Sequence, residues 1–250
     1  MKFIMKKVIF NFLMVIILIS CNDKKPTNHN NVEKRNYSNR PIVDNDKEKL
    51  SNNSCLIDSL NMMSTEYGGI KFYTENKLRG AGVVQLSIDK DFEILNLDKT
   101  VYGSIKLKNN TEEPFNIKFP KMVIAREIIP NIEYKIFCFD AEQPETDNDF
   151  LIIYINNEKR LVSKKDCKYK FHSWEAYIKT AFIHLTSKVE NSSKEEQRYY
   201  YEALKIKGDS MQIKSVAKTS CDYIEEYKDV TKWIKWKENS CKLIMFDFCY

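Results

Sequence analysis

The sequence predicts an α+β exported domain, mainly antiparallel β, with one amphipathic helix and a small β segment at the C-terminus. Three observations predict it. Short segments that alternate apolar and polar residues, bounded by Gly, Asn and Pro, recur from Ile70 onward, as half-buried strands do. One longer stretch, His172 to Lys188, carries Trp174, Ile178, Ala181 and Leu185 at helical spacing. Ahead of both lie an apolar leader and a polar stretch that separate an address from a folded part.

Met1 to Lys7 holds three lysines and no acid, and Val8 to Ile19 is apolar apart from Asn11. A run of twelve residues is too short to span a hydrocarbon core of about 30 Å as a helix. It fits the apolar region of an export signal, which is normally removed. A transmembrane anchor fits the length and flanks less well.

The run closes on Leu18-Ile19-Ser20-Cys21. This resembles the lipobox of bacterial lipoproteins. The resemblance implies that residues 1–20 are a signal peptide, that the Cys21 thiol carries diacylglycerol, and that its new amine takes a further acyl chain. It places the protein in the cell envelope, anchored to a bacterial membrane by lipid on Cys21. Asn22 in place of Asp favours the outer membrane, with the folded part facing the periplasm or the cell surface. Each buried CH₂ contributes about 0.8 kcal/mol and one myristoyl chain binds only marginally, so two or three chains on one residue give durable attachment.

Residues 21–54 are expected as a flexible tether. The stretch is rich in Asn, Lys, Asp, Ser and Pro, and such a composition cannot offset the entropy of ordering. Its mean reach is roughly 30 Å. Without the three leader lysines the chain has 37 basic and 35 acidic residues, close to neutral. No block of like charge remains, which argues against nucleic acid as a partner.

If lipid takes Cys21, six cysteines remain: Cys55, Cys138, Cys167, Cys221, Cys241 and Cys249. An exported compartment permits disulfides, and the sequence alone does not choose the pairing. Nearness along the chain favours Cys138 with Cys167, and Cys221 with Cys241 or Cys249. No CxxC or paired-histidine spacing is present, so no metal and no cofactor are expected.

Residues 55–190 are expected as a β-rich domain ending in a helix. Strands are expected at Ile70–Tyr73, Gly82–Ile88, Phe92–Leu95, Gly103–Leu107 and Phe115–Phe119. Two longer segments follow at Ile132–Phe139 and Phe150–Ile155, with the acidic loop Ala141–Asp149 between them. The helix over His172–Lys188 has Ser173 to cap it and Glu175 in its first turn, where a negative charge is favourable.

Residues 195–250 are expected as a small β domain. Tyr199–Ile206 and Met211–Val216 flank a turn at Lys207-Gly208-Asp209-Ser210. Lys232–Trp236 and Lys242–Phe248 follow. The run Ala203 to Ser215, with Trp233-Ile234-Lys235-Trp236, resembles a bacterial SH3-like barrel, which implies a small barrel here. Met211 stands where tryptophan is common, and Lys232 where glycine is usual.

Little catalytic chemistry is visible. His29, His172 and His184 are too far apart to share a ligand at helical spacing, and no G-x-S-x-G or phosphate-binding glycine loop is present. Arg79-Gly80-Ala81-Gly82 reads as a turn. Cys167 with His172 would make a nucleophile and base, against a bridged cysteine and a surface histidine. The paired acids Asp140/Glu142 and Glu225/Glu226 read as solvated.

The most suggestive groups are Tyr199-Tyr200-Tyr201, Trp233 and Trp236. In a strand Trp233 and Trp236 face opposite ways. Trp236, Tyr199 and Tyr201 are the candidate ligand surface, able to stack on a sugar or receive a peptide; core packing competes. The sequence points to a non-catalytic binding or interaction module of the envelope, with cell-wall fragments or another envelope protein as partner. One alternative is an immunity or inhibitor protein offering the loop Glu142–Asp149 to a basic toxin. The other is a hydrolase with an unrecognised site.

Overall fold

A hairpin opens the described fold. The computed structural model describes Cys55 and residues 62–109, 112–217 and 227–248. The expectations for the leader, Cys21, the tether, Cys221, Glu225, Glu226 and Cys249 lie outside these residues. Strands β1 (Met62–Tyr67) and β2 (Ile70–Thr74) pair antiparallel, and the short β7 (Met122–Ile124) joins β2 in parallel.

A larger antiparallel sheet faces this small one. In chain order it contains β3 (Gly82–Ser87), β4 (Phe92–Leu95), β5 (Val101–Leu107), β6 (Phe115–Lys118), β8 (Glu127–Ile129) and β9 (Ile136–Ala141). It also contains β10 (Phe150–Ile155), β11 (Glu158–Ser163) and β12 (Lys168–Ser173). Its order is β12-β3-β9-β10-β11-β4-β5-β6, with β8 beside β9. The β10–β11 turn is Asn156-Asn157, both with positive φ (50° and 67°). Asparagine tolerates that conformation, which two-residue hairpins require. The Asn156 side chain also accepts from the Ile124 amide (2.6 Å) and donates to the Met122 carbonyl (3.1 Å), fastening the turn to β7.

After β12 come α1 (Trp174–Ile178), β13 (Phe182–Leu185) and a 3₁₀ turn at Glu196–Arg198. Then follow β14 (Tyr201–Lys207), β15 (Ser210–Ser215), β16 (Thr231–Lys235), β17 (Lys237–Glu238), β18 (Cys241–Lys242) and β19 (Ile244–Asp247). They build a five-stranded antiparallel sheet, order β16-β15-β14-β13-β19, and a two-stranded ribbon, β17-β18. The segment resembling an SH3-like barrel supplies β14, β15 and β16 of this sheet, which also takes in β13 from before residue 190.

The fold class needs correction. The described chain is mostly antiparallel β with one short helix, not α+β, and the amphipathic helix expected over His172–Lys188 is absent among the described residues. Residues 168–173 pair with β3 along their whole length. Ser173 does cap a helix, accepting from the Ala176 amide at 3.2 Å, but that helix lasts five residues. From Phe182 the burial alternates with period two: Ile183 and Leu185 face inward, Phe182 and His184 outward. Thr180, Phe182, Ile183 and Thr186 are weak helix formers. Pairing with β14 and β19 therefore decides the local conformation.

Three clusters of buried side chains hold these layers together. Phe72 and Val123 of the small sheet pack against Val84, Ile105, Phe115 and Phe139 of the large one. A second cluster lies under the five-stranded sheet and includes Ile183, Tyr201, Met211, Ile213 and Trp236. Strand β9 is buried along its whole length. Phe137 and Phe139 point into the first cluster, while Ile136 and Cys138 join Val83 and Tyr177 in a third cluster, against which Phe246 and Phe248 pack. By the same alternation Asp140 faces the third cluster's side.

The described residues fall in one compact unit. The two sheet systems are joined along residues 76–78 and 240–242. Leu78 N donates to Ser240 O (2.7 Å), and Lys242 N donates to Asn76 O (3.0 Å). A disulfide, Cys55–Cys241, closes the same edge, with 5.4 Å between Cα atoms. At Gly80 (φ +61°) a Cβ would lie 2.2 Å from the Ala141 carbonyl oxygen, so this junction needs glycine.

Candidate functional site

The expected ligand surface is in the core. Tyr199, Tyr201 and Trp236 are buried at 2%, 0% and 3% exposure. The register explains it. Tyr201 lies opposite the buried Ser215, and its hydroxyl donates to the Glu196 carbonyl (3.1 Å). Tyr199 donates to Glu195 (2.8 Å). Trp236, just past β16, falls on the inward phase, and its indole donates to Gly208 O (3.0 Å). The two tryptophans do face opposite ways, but it is Trp233 that stands in solvent, at 46% exposure.

The cysteines pair differently from expectation. Cys241 is bridged to Cys55, 186 residues away in sequence, not to Cys221 or Cys249. Cys138 and Cys167 are free thiols. They belong to different environments: Cys138 is buried in the third cluster, and Cys167 donates to the Ser163 carbonyl at 3.6 Å. Burial, then Asp166, pushes the Cys167 pKa up to about 11, and burial raises that of Cys138 further. Neither is a ready thiolate. His172 sits in β12 opposite Val83, and burial lowers its pKa.

The acids expected in solvent are engaged. Asp140 accepts from Arg126 through both carboxylate oxygens, Nε to Oδ1 at 2.7 Å and Nη2 to Oδ2 at 2.9 Å. Arg126 also donates to the carbonyls of Glu75 (3.2 Å) and Lys77 (2.8 Å), and lies 5.0 Å from the Trp174 ring centroid. The Arg79 amide donates to Asp140 Oδ2 (3.0 Å), and the Arg79 guanidinium is ion-paired to Glu75. Lys242 completes the cluster with its ammonium end 4.8 Å from the Phe246 ring centroid. Burial, then the charge of Arg126, pushes its pKa down to about 7. This bidentate, buried arrangement is a fastening between the sheets: with three N–H donors on its carboxylate and 2% exposure, Asp140 is closed to a substrate.

Glu142 accepts from Tyr154 (2.6 Å) and pairs with Lys159 (2.8 Å). It lines a cleft of about 280 Å³ along the acidic loop with Glu145, Asn148 and Phe150. Asp149 of this loop is likewise matched by Lys165 (3.5 Å). A smaller cavity of about 80 Å³ lies beside the disulfide, and an open one of about 290 Å³ lies over Gly103 and Phe119. Among the described residues no group of three His, Cys, Asp or Glu side chains could hold a metal, and no helix is long and apolar enough to cross a membrane.

The outward face of the five-stranded sheet is the best candidate. Trp233 on β16 is directly opposite Gln212 on β15, which is opposite Lys205 on β14. One step along, Lys235, Ser210 and Lys207 form the next row. Lys207 Nζ lies 5.8 Å from the centroid of the Trp233 ring. A bulge between Ala203 and Lys205 leaves Leu204 39% exposed on the same strand. Farther across, the rings of His184 and Tyr200 lie 4.1 Å apart, and Met245 stands opposite His184. Alternation in KWIKW was the signal that could have found Trp233; the missing information was which phase is buried.

No protein-family model, curated protein or solved structure matches the chain.

Proposed function

We propose that the protein is a lipid-anchored lipoprotein of the bacterial cell envelope whose folded part is a non-catalytic binding module. The outward face of the five-stranded sheet is its binding face. The observation that carries this reading is Trp233, a large aromatic side chain held 46% exposed on the outward side of the edge strand β16, with Lys207 Nζ 5.8 Å from its ring centroid and Lys235 two residues along the strand. An exposed tryptophan adds nothing to the core, and interfaces draw much of their binding energy from such residues. The basic surround selects a partner that carries negative charge. The lipobox-like Leu18–Cys21 supports the anchor, and a Cys55–Cys241 bridge accords with an exported address.

Two measurements test the two halves. Cells fed labelled fatty acid should label the protein, and Cys21→Ser should abolish the label. Purified wild-type chain should sediment with isolated wall and outer-membrane fragments. Trp233→Ala should reduce that binding about tenfold while changing stability by no more than about 0.5 kcal/mol, since its side chain lies outside the core. Equal sedimentation of the variant contradicts the assignment of the face.

A further inference from the structure

We infer that the outward face of the five-stranded sheet docks an extended acidic glycan lying across the strands. This rests on the binding-face reading above and adds the chemical class of the ligand and its course. The geometry supplies three kinds of contact in sequence. Trp233, with Lys207 Nζ 5.8 Å from its ring centroid, presents a partly exposed ring for the apolar face of a sugar. Gln212, its direct neighbour on β15, offers both donor and acceptor atoms for hydroxyls. Lys205, next in the same row, and Lys207, in the row beside it, offer ammonium groups for carboxylates or phosphates.

These two lysines make no ion pair with a carboxylate among the described residues, unlike Lys235, which is held by Glu238 at 2.6 Å. The row crosses the three strands β16, β15 and β14, about 10 Å at a strand spacing of about 4.8 Å. A polymer crossing these strands meets a ring, then an amide, then ammonium groups. The His184–Tyr200 pair lies farther along the strands, beyond the Tyr201–Ser215 row, and is off this path.

Beyond Trp233 this path is polar and charged. Membrane docking instead calls for a continuous apolar surface buried below the headgroups, so the row favours a hydrated chain. The same lysines exclude a neutral polymer as the best fit.

The test uses the full-length protein as isolated from cells, with polygalacturonate as the acidic polymer, dextran as the neutral one, and phosphatidylglycerol vesicles. Titration calorimetry and tryptophan fluorescence are the readouts. Polygalacturonate should bind, more weakly at high salt. Trp233→Ala and the double variant Lys205→Glu/Lys207→Glu should each weaken it about tenfold, and dextran should not bind. Dextran binding as well as polygalacturonate overturns the acidic requirement. No binding of polygalacturonate, with vesicles bound in a Trp233-dependent way, overturns the glycan and leaves the face intact. No binding of any probe overturns the glycan. Polygalacturonate bound equally by wild type and both variants overturns the face itself.

Discussion

Asp140→Asn is expected to lower the free energy of unfolding by about 3–5 kcal/mol, the usual cost of leaving one partner of a buried ion pair uncompensated. Asp140 is 2% exposed and Arg126 is 5% exposed. The carboxylate takes both guanidinium bonds of Arg126 and the backbone amide of Arg79. With the charge removed, Arg126 remains held by the carbonyls of Glu75 and Lys77, in a site where its charge has lost its counter-ion. Lys242, whose pKa burial and then Arg126 depress to about 7, also loses the support of the Asp140 charge and is driven toward the neutral amine. Arg126→Met should cost a similar amount. The double variant Asp140→Asn/Arg126→Met should cost clearly less than the sum, because the two residues share one interaction. Urea unfolding of the four proteins checks it. Additive losses would mean that the pair is not the fastening it is described as.

The second large effect is loss of the Cys55–Cys241 bridge. The bridge closes 186 residues, for which the loop-entropy relation gives about 5 kcal/mol, within a measured range of about 2–5 kcal/mol for native bridges removed from small domains. It also ties the start of the described fold to β18, on the edge where the two sheet systems exchange backbone hydrogen bonds. Cys55→Ser should lower stability by about 3–5 kcal/mol. Reducing agent should do the same to the wild type and nothing to the variant. Peptide mapping without reduction should recover Cys55 and Cys241 in one fragment, and equal stability with and without reductant would refute the bridge.

These features show what a sequence holds and what it hides. Strands with one wet face were readable, because side-chain alternation is local: Ile70–Tyr73 lies in β2, and Phe92–Leu95 is β4. Strand β11 begins with Glu158-Lys159-Arg160 and shows no apolar alternation at its start, so the sequence does not announce it, although Asn156-Asn157 marks the hairpin turn. The helical period of Trp174, Ile178, Ala181 and Leu185 misleads because Trp174 and Ile178 belong to a five-residue helix, Ala181 to the bend after it and Leu185 to a strand. The choice between them was made by β14 and β19, far away in sequence.

The site was half legible for the same reason. Alternation in β16 sets Trp233 against Trp236, but only the register with β15 says which of them meets solvent. Asp140 reads as a solvated acid in the sequence because Arg126 and Arg79 carry no local sign of converging on it. The bridge joins cysteines at opposite ends of the described chain, where sequence proximity misleads.

Hydrogen–deuterium exchange on the protein in isolated envelope fragments, compared with the purified protein, tests the central claim most directly. The outward face being the binding face, slowed exchange is expected in β14, β15 and β16, residues 201–215 and 231–235, and Trp233→Ala should remove it. Protection confined to the acidic loop 142–149, or none in these three strands, would contradict the account.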